Sequence, residues 1–266
     1  MFLSACSQLL YYPDSHMYYN PEQAELTYED LEFQTSDGVS LHAWYFPAKG
    51  QSKSFIAHFH GNAQNLSSHF IHLAWIPEEG HDYFIFDYRG YGQSDSVRPT
   101  PKGTSYDGVA ALEKAYSLYL ESGAEKFVVY GQSLGGIVAM KALEKFEHRD
   151  QVDLIVLDST FSSYRKVARR VMGSNFITWP LQPLSFVLFS DRYAPREFLD
   201  QTDIAALVIH SKKDPVVPFS LGRDLYGDLK AERKWFWQLD RREHGAVFYD
   251  YDLRYRAKFL ELLEEI

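Results

Sequence analysis

Short apolar runs alternate with longer amphipathic stretches along most of the chain, and this alternation sets the reading of its fold. LEFQTS (31–36) and VSLHAWYF (39–46) are two β-rich runs either side of Asp37-Gly38, which predicts a hairpin. SFIAHFHG (54–61) reads as a buried strand that ends in a polar glycine turn, and residues 64–76 follow with helical spacing through Leu66, Phe70, Leu73 and Ala74. HDYFIFDYRGYGQSD (81–95) is a strand running into a glycine-rich loop. A helix is predicted over 105–121, with Val109, Leu112, Ala115, Tyr116 and Leu120 on one face.

The second half repeats the theme. FVVYG (127–131) predicts a strand, LGGIVAMKALEKF (134–146) a helix, and LIVLDS (154–159), ALVIHS (206–211) and WFWQL (235–239) further strands, with a closing helix from about 246 to 264. About eight strands, most alternating with helices, imply an α/β domain whose sheet is mostly parallel, with helices on both faces. With neither internal repeat nor Gly/Ser linker, residues 26–266 read as one domain. An insertion at about 160–203, too long for one crossover helix, forms a small helical cap, and residues 1–25 read as a tail or tether.

Composition narrows the function classes. A net charge of −9 argues against a nucleic-acid partner, because phosphate binding needs a concentrated basic surface. Outside RRE (241–243), the one dense basic run, RKVARR (165–170), reads as a solvated helix face. A single cysteine, Cys6, excludes an internal disulfide framework, and no cluster has zinc-ligand spacing. Neither glycine-rich loop gives the G-x-G-x-x-G of a dinucleotide site, so no cofactor is implied.

In open α/β sheets, ligands bind beyond the carboxyl ends of the strands. Those positions hold His60-Gly61-Asn62-Ala63, Gly131-Gln132-Ser133-Leu134-Gly135, Lys212-Lys213-Asp214-Pro215 and Glu243-His244-Gly245. Serine, aspartate and histidine thus occur in that order, each after a strand. A hydroxyl is a poor nucleophile without a neighbouring base, which makes His244 the partner of Ser133. The histidine in turn needs a carboxylate on its other nitrogen, either Asp214 or Asp158 after the 154–158 run, with Asp214 preferred. Leu134, opening the helix after the serine, offers its backbone N–H to a developing oxyanion.

G-x-S-x-G followed by Asp and His resembles the α/β-hydrolase family, over a span from about residue 30 to the end. HGNA, FDYRGYGQS, YGQSLGG, KKDPVVP and the late EHG look most like its BEM46-like group of serine hydrolases, also described as ABHD13/ABHD17-like. The resemblance implies an oxyanion hole formed by the N–H groups of Leu134 and Asn62, with Ala63 as the alternative to Asn62. It also implies cleavage of carboxylic esters or thioesters through an acyl-enzyme. A peptidase or amidase of the same fold, or a non-catalytic envelope protein that keeps it, are the alternatives.

Aromatic residues of the 160–203 insertion, Phe161, Phe176 and Trp179 among them, are candidates for the wall of a pocket that takes a small or lipid-like acyl ester. FLSACS (2–7) resembles the lipobox of bacterial lipoproteins, in which Cys6 would carry the lipid. That resemblance implies a membrane tether in the bacterial cell envelope, at the outer membrane, with a signal peptide upstream; the alternative is a cytoplasmic protein with an ordinary thiol.

Overall fold

The computed structural model describes residues 11–173, 190–249 and 253–266. Eight strands form one sheet: β1 (Glu29–Gln34), β2 (Ser40–Phe46), β3 (Ser54–Phe59), β4 (Asp82–Phe86), β5 (Lys126–Gln132), β6 (Leu154–Asp158), β7 (Ala205–Ser211) and β8 (Lys234–Leu239). Their spatial order is β1-β2-β4-β3-β5-β6-β7-β8. β1 and β2 pair as the expected antiparallel hairpin and β2 pairs antiparallel with β4, whereas every pairing from β4 through β8 is parallel.

Among the described residues the helices are α1 (Leu66–His69), α2 (Pro101–Ser122), α3 (Leu134–Leu143), α4 (Tyr164–Gly173), α5 (Arg196–Gln201), α6 (Phe219–Asp228) and α7 (Arg254–Glu265). α2 is longer than its apolar spacing suggested. Thr100 caps it by accepting the N–H of Gly103, Pro101 occupies the first turn, and left-handed Gly123 ends it. Leu120, expected on its buried face, is instead 62 % exposed, and Leu118 takes the inward place.

The helix expected over 64–76 is a single α-turn followed by 3₁₀ turns at 70–72 and 77–79. Leu66, Phe70 and Leu73 are buried as their spacing requires, but Leu73 and Ala74 bond to carbonyls three residues back, which tightens the turn. In α4, Val167 and Ala168 are buried while Lys166, Arg169 and Arg170 point to solvent, as a solvated basic face should.

Strand alternation splits the core in two. Phe127 and Val129 of β5 face α2 and α3, in a layer with Phe55, Phe59, Leu112 and Ile137. Val128 and Tyr130 face the opposite layer, with Ile56, Phe70, Val156 and Phe259 of α7. Both faces of the sheet are covered, which is why the parallel strands read as continuous apolar runs.

Two buried histidines in this core make stability pH-dependent. Burial, followed by the neighbouring His72, pushes the His58 pKa well below 6.5, and burial with nearby Lys53 lowers His81 to about 4. The unfolded chain takes up these protons near 6.5 while the fold resists them, so stability present at neutral pH is lost as the pH falls from about 6.5 to about 4. Each histidine contributes up to about 1.4 kcal/mol per pH unit in that window. Urea unfolding midpoints should therefore drop between pH 7 and pH 5. A His81→Gln variant, which keeps a partner for Ser54, should show a shallower drop; an unchanged slope would contradict the account.

Candidate active site

β5 runs straight into α3 through Ser133, whose backbone sits at φ 51° and ψ −117°. That conformation is sparsely populated for an L-residue and costs roughly 1–3 kcal/mol. Close packing holds it in place. A Cβ on Gly135 would lie 1.9 Å from the Phe59 carbonyl oxygen, and one on Gly131 would lie 2.5 Å from Gly136 Cα. Glycine at those two positions is thus the condition for β5, the turn and α3 to pack together. Two hydrogen bonds lock the turn: Ser133 N–H donates to Asp158 O at 2.8 Å, and Thr160 Oγ1 donates to Ser133 O at 2.5 Å.

Ser133, His244 and Asp214 come together from three distant parts of the chain. His244 Nε2 lies 2.9 Å from Ser133 Oγ, and His244 Nδ1 lies 2.8 Å from Asp214 Oδ2. Nδ1–H therefore donates to the carboxylate, which leaves the Nε2 lone pair to accept the serine proton. Asp214 is aimed by its own loop, since its Oδ1 accepts the N–H groups of Val216 and Val217 at 2.8 and 2.9 Å.

Asp158 follows a different path. Its Oδ2 accepts Tyr130 Oη–H at 2.7 Å, Tyr130 Oη accepts His72 Nε2–H at 2.7 Å, and its Oδ1 accepts Ser159 Oγ–H at 2.9 Å. Burial opposes the charge on Asp158, but His72 and the two hydroxyls outweigh it and hold the carboxyl below its ordinary value. Ser159 Oγ in turn accepts Gly245 N–H at 2.9 Å, so Asp158 supports the backbone beside His244 rather than its ring. From the other side, Gln132 Nε2–H donates to Gly245 O at 2.6 Å.

Above the serine runs the loop after β3. Asn62 Oδ1 accepts three donors: Ala63 N–H at 2.9 Å, Tyr12 N–H at 2.9 Å and Tyr91 Oη–H at 2.8 Å. Ala63 N–H is thus committed to the Asn62 side chain, which favours Asn62 over Ala63 as the loop's backbone donor. Leu134 opens α3, and the first N–H groups of a helix have no partner within it. Ala63 and Gln64 adopt φ 63° and 56°, so two successive non-glycine residues carry left-handed strain. His69 Nε2 at 3.1 Å from Ala63 O, and Asp87 Oδ1, which accepts Leu66 N–H at 2.8 Å, brace this loop from within. Asp87 thereby ties the end of β4 to the start of α1.

A cavity of ≈ 150 Å³ opens onto Ser133 and His244, with Asn62, Gln64, Ser68, His69 and Tyr249 in its wall. Phe161, expected in such a wall, is 5 % exposed and packs edge-on to Tyr164 in the core. Its strand-end position directs it inward. Phe176, Trp179 and Cys6 lie outside the described residues.

A model of the alpha/beta hydrolase family matches residues 56–263, a span that holds Ser133, Asp214, His244 and the loop of Asn62. The chain belongs to the alpha/beta hydrolase family. Among curated relatives of this alpha/beta hydrolase, the protein YfhR of Salmonella typhi is 35% identical over 267 residues, covering 96% of this chain and 86% of its own. Lysophosphatidylserine lipase ABHD12 of Bos taurus is more distant, 28% identical over 82% of this chain and 54% of its own. An esterase of Pyrococcus furiosus shares the fold with a TM-score of 0.77 at 20% identity, covering 96% and 98% of the two chains.

Sequence reasoning missed Gln132, Ser159 and Tyr12 as parts of the site. Gln132 is the variable position of G-x-S-x-G, and Tyr12 acts through its backbone, so neither leaves a mark that a motif could read.

Proposed function

We propose that this hydrolase cleaves carboxylic esters or thioesters through an acyl-enzyme formed on Ser133. The observation that carries the reading is the unbroken chain from Asp214 Oδ2 through His244 to Ser133 Oγ, with spacings of 2.8 and 2.9 Å. Ser133 Oγ attacks the carbonyl carbon while His244 Nε2 takes its proton. The Asp214 carboxylate stabilises the imidazolium, and the N–H groups of Leu134 and Asn62 receive the negative charge on the carbonyl oxygen. Collapse expels the alcohol or thiol, which leaves with the proton from His244. Water then gives a proton to the same nitrogen as its oxygen bonds the acyl carbon, and the acyl–Ser133 bond breaks as His244 returns that proton to Ser133 Oγ, which releases the acid.

Support for an ester or thioester comes from the leaving group. An alkoxide or thiolate is expelled more readily than an amine. The named relatives that carry an activity include an esterase and a lipase, which agrees with this choice.

The test is direct. A fluorophosphonate should label wild-type protein and leave Ser133→Ala unlabelled, and p-nitrophenyl esters of graded chain length, together with acyl thioesters, should be turned over. Hydrolysis of aminoacyl amides in preference to every ester would replace the reading with that of a peptidase. Wild-type protein that is neither labelled nor active would point to a binding protein that keeps the fold.

A further inference from the structure

The strained loop above the serine is braced from outside by the segment that precedes the hairpin. Residues 11–18 run along it as a strap. Tyr12 N–H donates to Asn62 Oδ1 at 2.9 Å, Pro13 and Gln64 form a parallel bridge, and Tyr18 N–H donates to Ser67 Oγ at 3.0 Å. Asn65, 2 % exposed, is the clasp between the two. Its Nδ2 lies 2.7 Å from His16 O and 3.2 Å from both Asp14 O and Asp14 Oδ1, while its Oδ1 accepts Ser67 N–H at 3.0 Å and so caps α1. Asp14 O also accepts Gly92 N–H at 2.9 Å, and Tyr11 Oη meets Thr104 Oγ1 at 3.1 Å. The strap is thereby tied to the body of the domain as well as to the loop.

We propose that residues 11–18 are a positioning strap for the oxyanion donor: Tyr12 N–H and the Asn65 clasp set the orientation of Asn62. The inference rests on the ester-hydrolase reading given above. The physical reason is geometric. Ala63 and Gln64 at positive φ do not hold this loop shape by local preference, and the Asn62 side chain is pinned by one donor from the strap, one from Tyr91 and one from its own neighbour. Remove the strap donor and Asn62 Oδ1 keeps only Tyr91 and Ala63, which hold the Asn62 peptide less firmly. An oxyanion donor acts on the transition state far more than on bound substrate, so kcat should fall while KM stays.

Two exposed-chain variants isolate the bond. Tyr12→Ala keeps the N–H and serves as the reference, whereas Tyr12→Pro lacks it and should fall about tenfold or more below that reference in kcat at unchanged KM. Asn65→Asp keeps the oxygen that caps α1 but loses the strap donor and sets a second carboxylate against Asp14. It should show the same kcat loss at unchanged KM together with a lower unfolding temperature, because the new carboxylate is buried against His16 O and Asp14, and adding Asp14→Asn should restore part of both. Equal kcat for Tyr12→Ala and Tyr12→Pro, or wild-type kcat in folded Asn65→Asp, would overturn the proposal. Should wild type lack fluorophosphonate labelling, the hydrolase reading fails by itself. Amide hydrogen exchange over residues 62–67 then decides the strap: faster exchange in Tyr12→Pro than in Tyr12→Ala supports it, and equal exchange rejects it.

Discussion

Ser133→Ala is expected to lower kcat on an ester by a factor on the order of 10⁶, leaving only the residual rate that binding and the oxyanion donors sustain. No other hydroxyl lies within hydrogen-bonding distance of His244 Nε2 in place of Ser133 among the described contacts. The same position carries an unusual stability signature. At a relaxed backbone position, glycine is less stable than alanine by roughly 0.5–1 kcal/mol, because it has more freedom to lose. At φ 51° and ψ −117° the Cβ itself is the source of strain. Ser133→Gly should therefore be more stable than Ser133→Ala, by about 1 kcal/mol. Both variants would be inactive, and urea denaturation would show the reversed order. An alanine variant more stable than the glycine variant would mean that the turn stores no strain, and a fully active Ser133→Ala would end the nucleophile reading.

The two carboxylates near His244 should separate cleanly by what each loses. Asp214→Asn leaves an amide oxygen able to accept from Val216 and Val217, so the loop should survive. The imidazole, however, loses the charge that orients Nδ1–H and stabilises the imidazolium, and kcat should fall on the order of 10⁴-fold. Asp158→Asn breaks a buried arrangement with His72, Tyr130 and Ser159 in which His72 and Asp158 are each about 1 % exposed. Its main cost should be stability, about 2 kcal/mol, since the amide nitrogen cannot accept and leaves one of the buried hydroxyls of Tyr130 and Ser159 without its acceptor. Turnover should fall only modestly, about tenfold, as Ser159 and Gly245 shift beneath His244. Steady-state kinetics and thermal unfolding on the two variants provide the comparison. A larger kcat loss for Asp158→Asn than for Asp214→Asn would make Asp158 the partner of His244 and require a different resting geometry.

Much of the fold is readable in the chain because both faces of a parallel sheet are covered. Burial on both sides leaves strands such as FVVYG and LIVLD as unbroken apolar runs, bounded by glycine and polar turns. Where a segment is only partly buried the reading blurs. The apolar spacing over 64–76 is real, yet three apolar positions three or four apart satisfy an α-turn and a 3₁₀ turn alike. Leu120 shows the same limit on α2, where a leucine near the helix end meets solvent because the sheet no longer lies beneath it.

The site divides in the same way. Ser133, Asp214 and His244 stand out because nucleophile, acid and base must each sit at a strand's carboxyl end, and G-x-S-x-G marks a turn in which only glycine clears Phe59 O and Gly136 Cα. The order of these residues along the chain is thus a property of the sequence. Which carboxylate faces His244 is not, because Asp158 and Asp214 both follow strands. The choice depends on distances across neighbouring strands: 2.8 Å from Asp214 to His244, against an Asp158 already bonded to Tyr130 and Ser159.

The chain alone determined an α/β-hydrolase fold and a short set of chemically competent residues, since strand burial and the steric demands of the turn are local and leave residue-type signatures. Only the tertiary structure decided how those residues are held: Gln132 and Ser159 on Gly245, and Tyr12 and Asn65 on the loop of Asn62. Each of those contacts pairs a side chain with a backbone N–H or C=O group tens of residues away, and because every residue carries such backbone groups alike, the side chain's partner leaves no mark in the sequence.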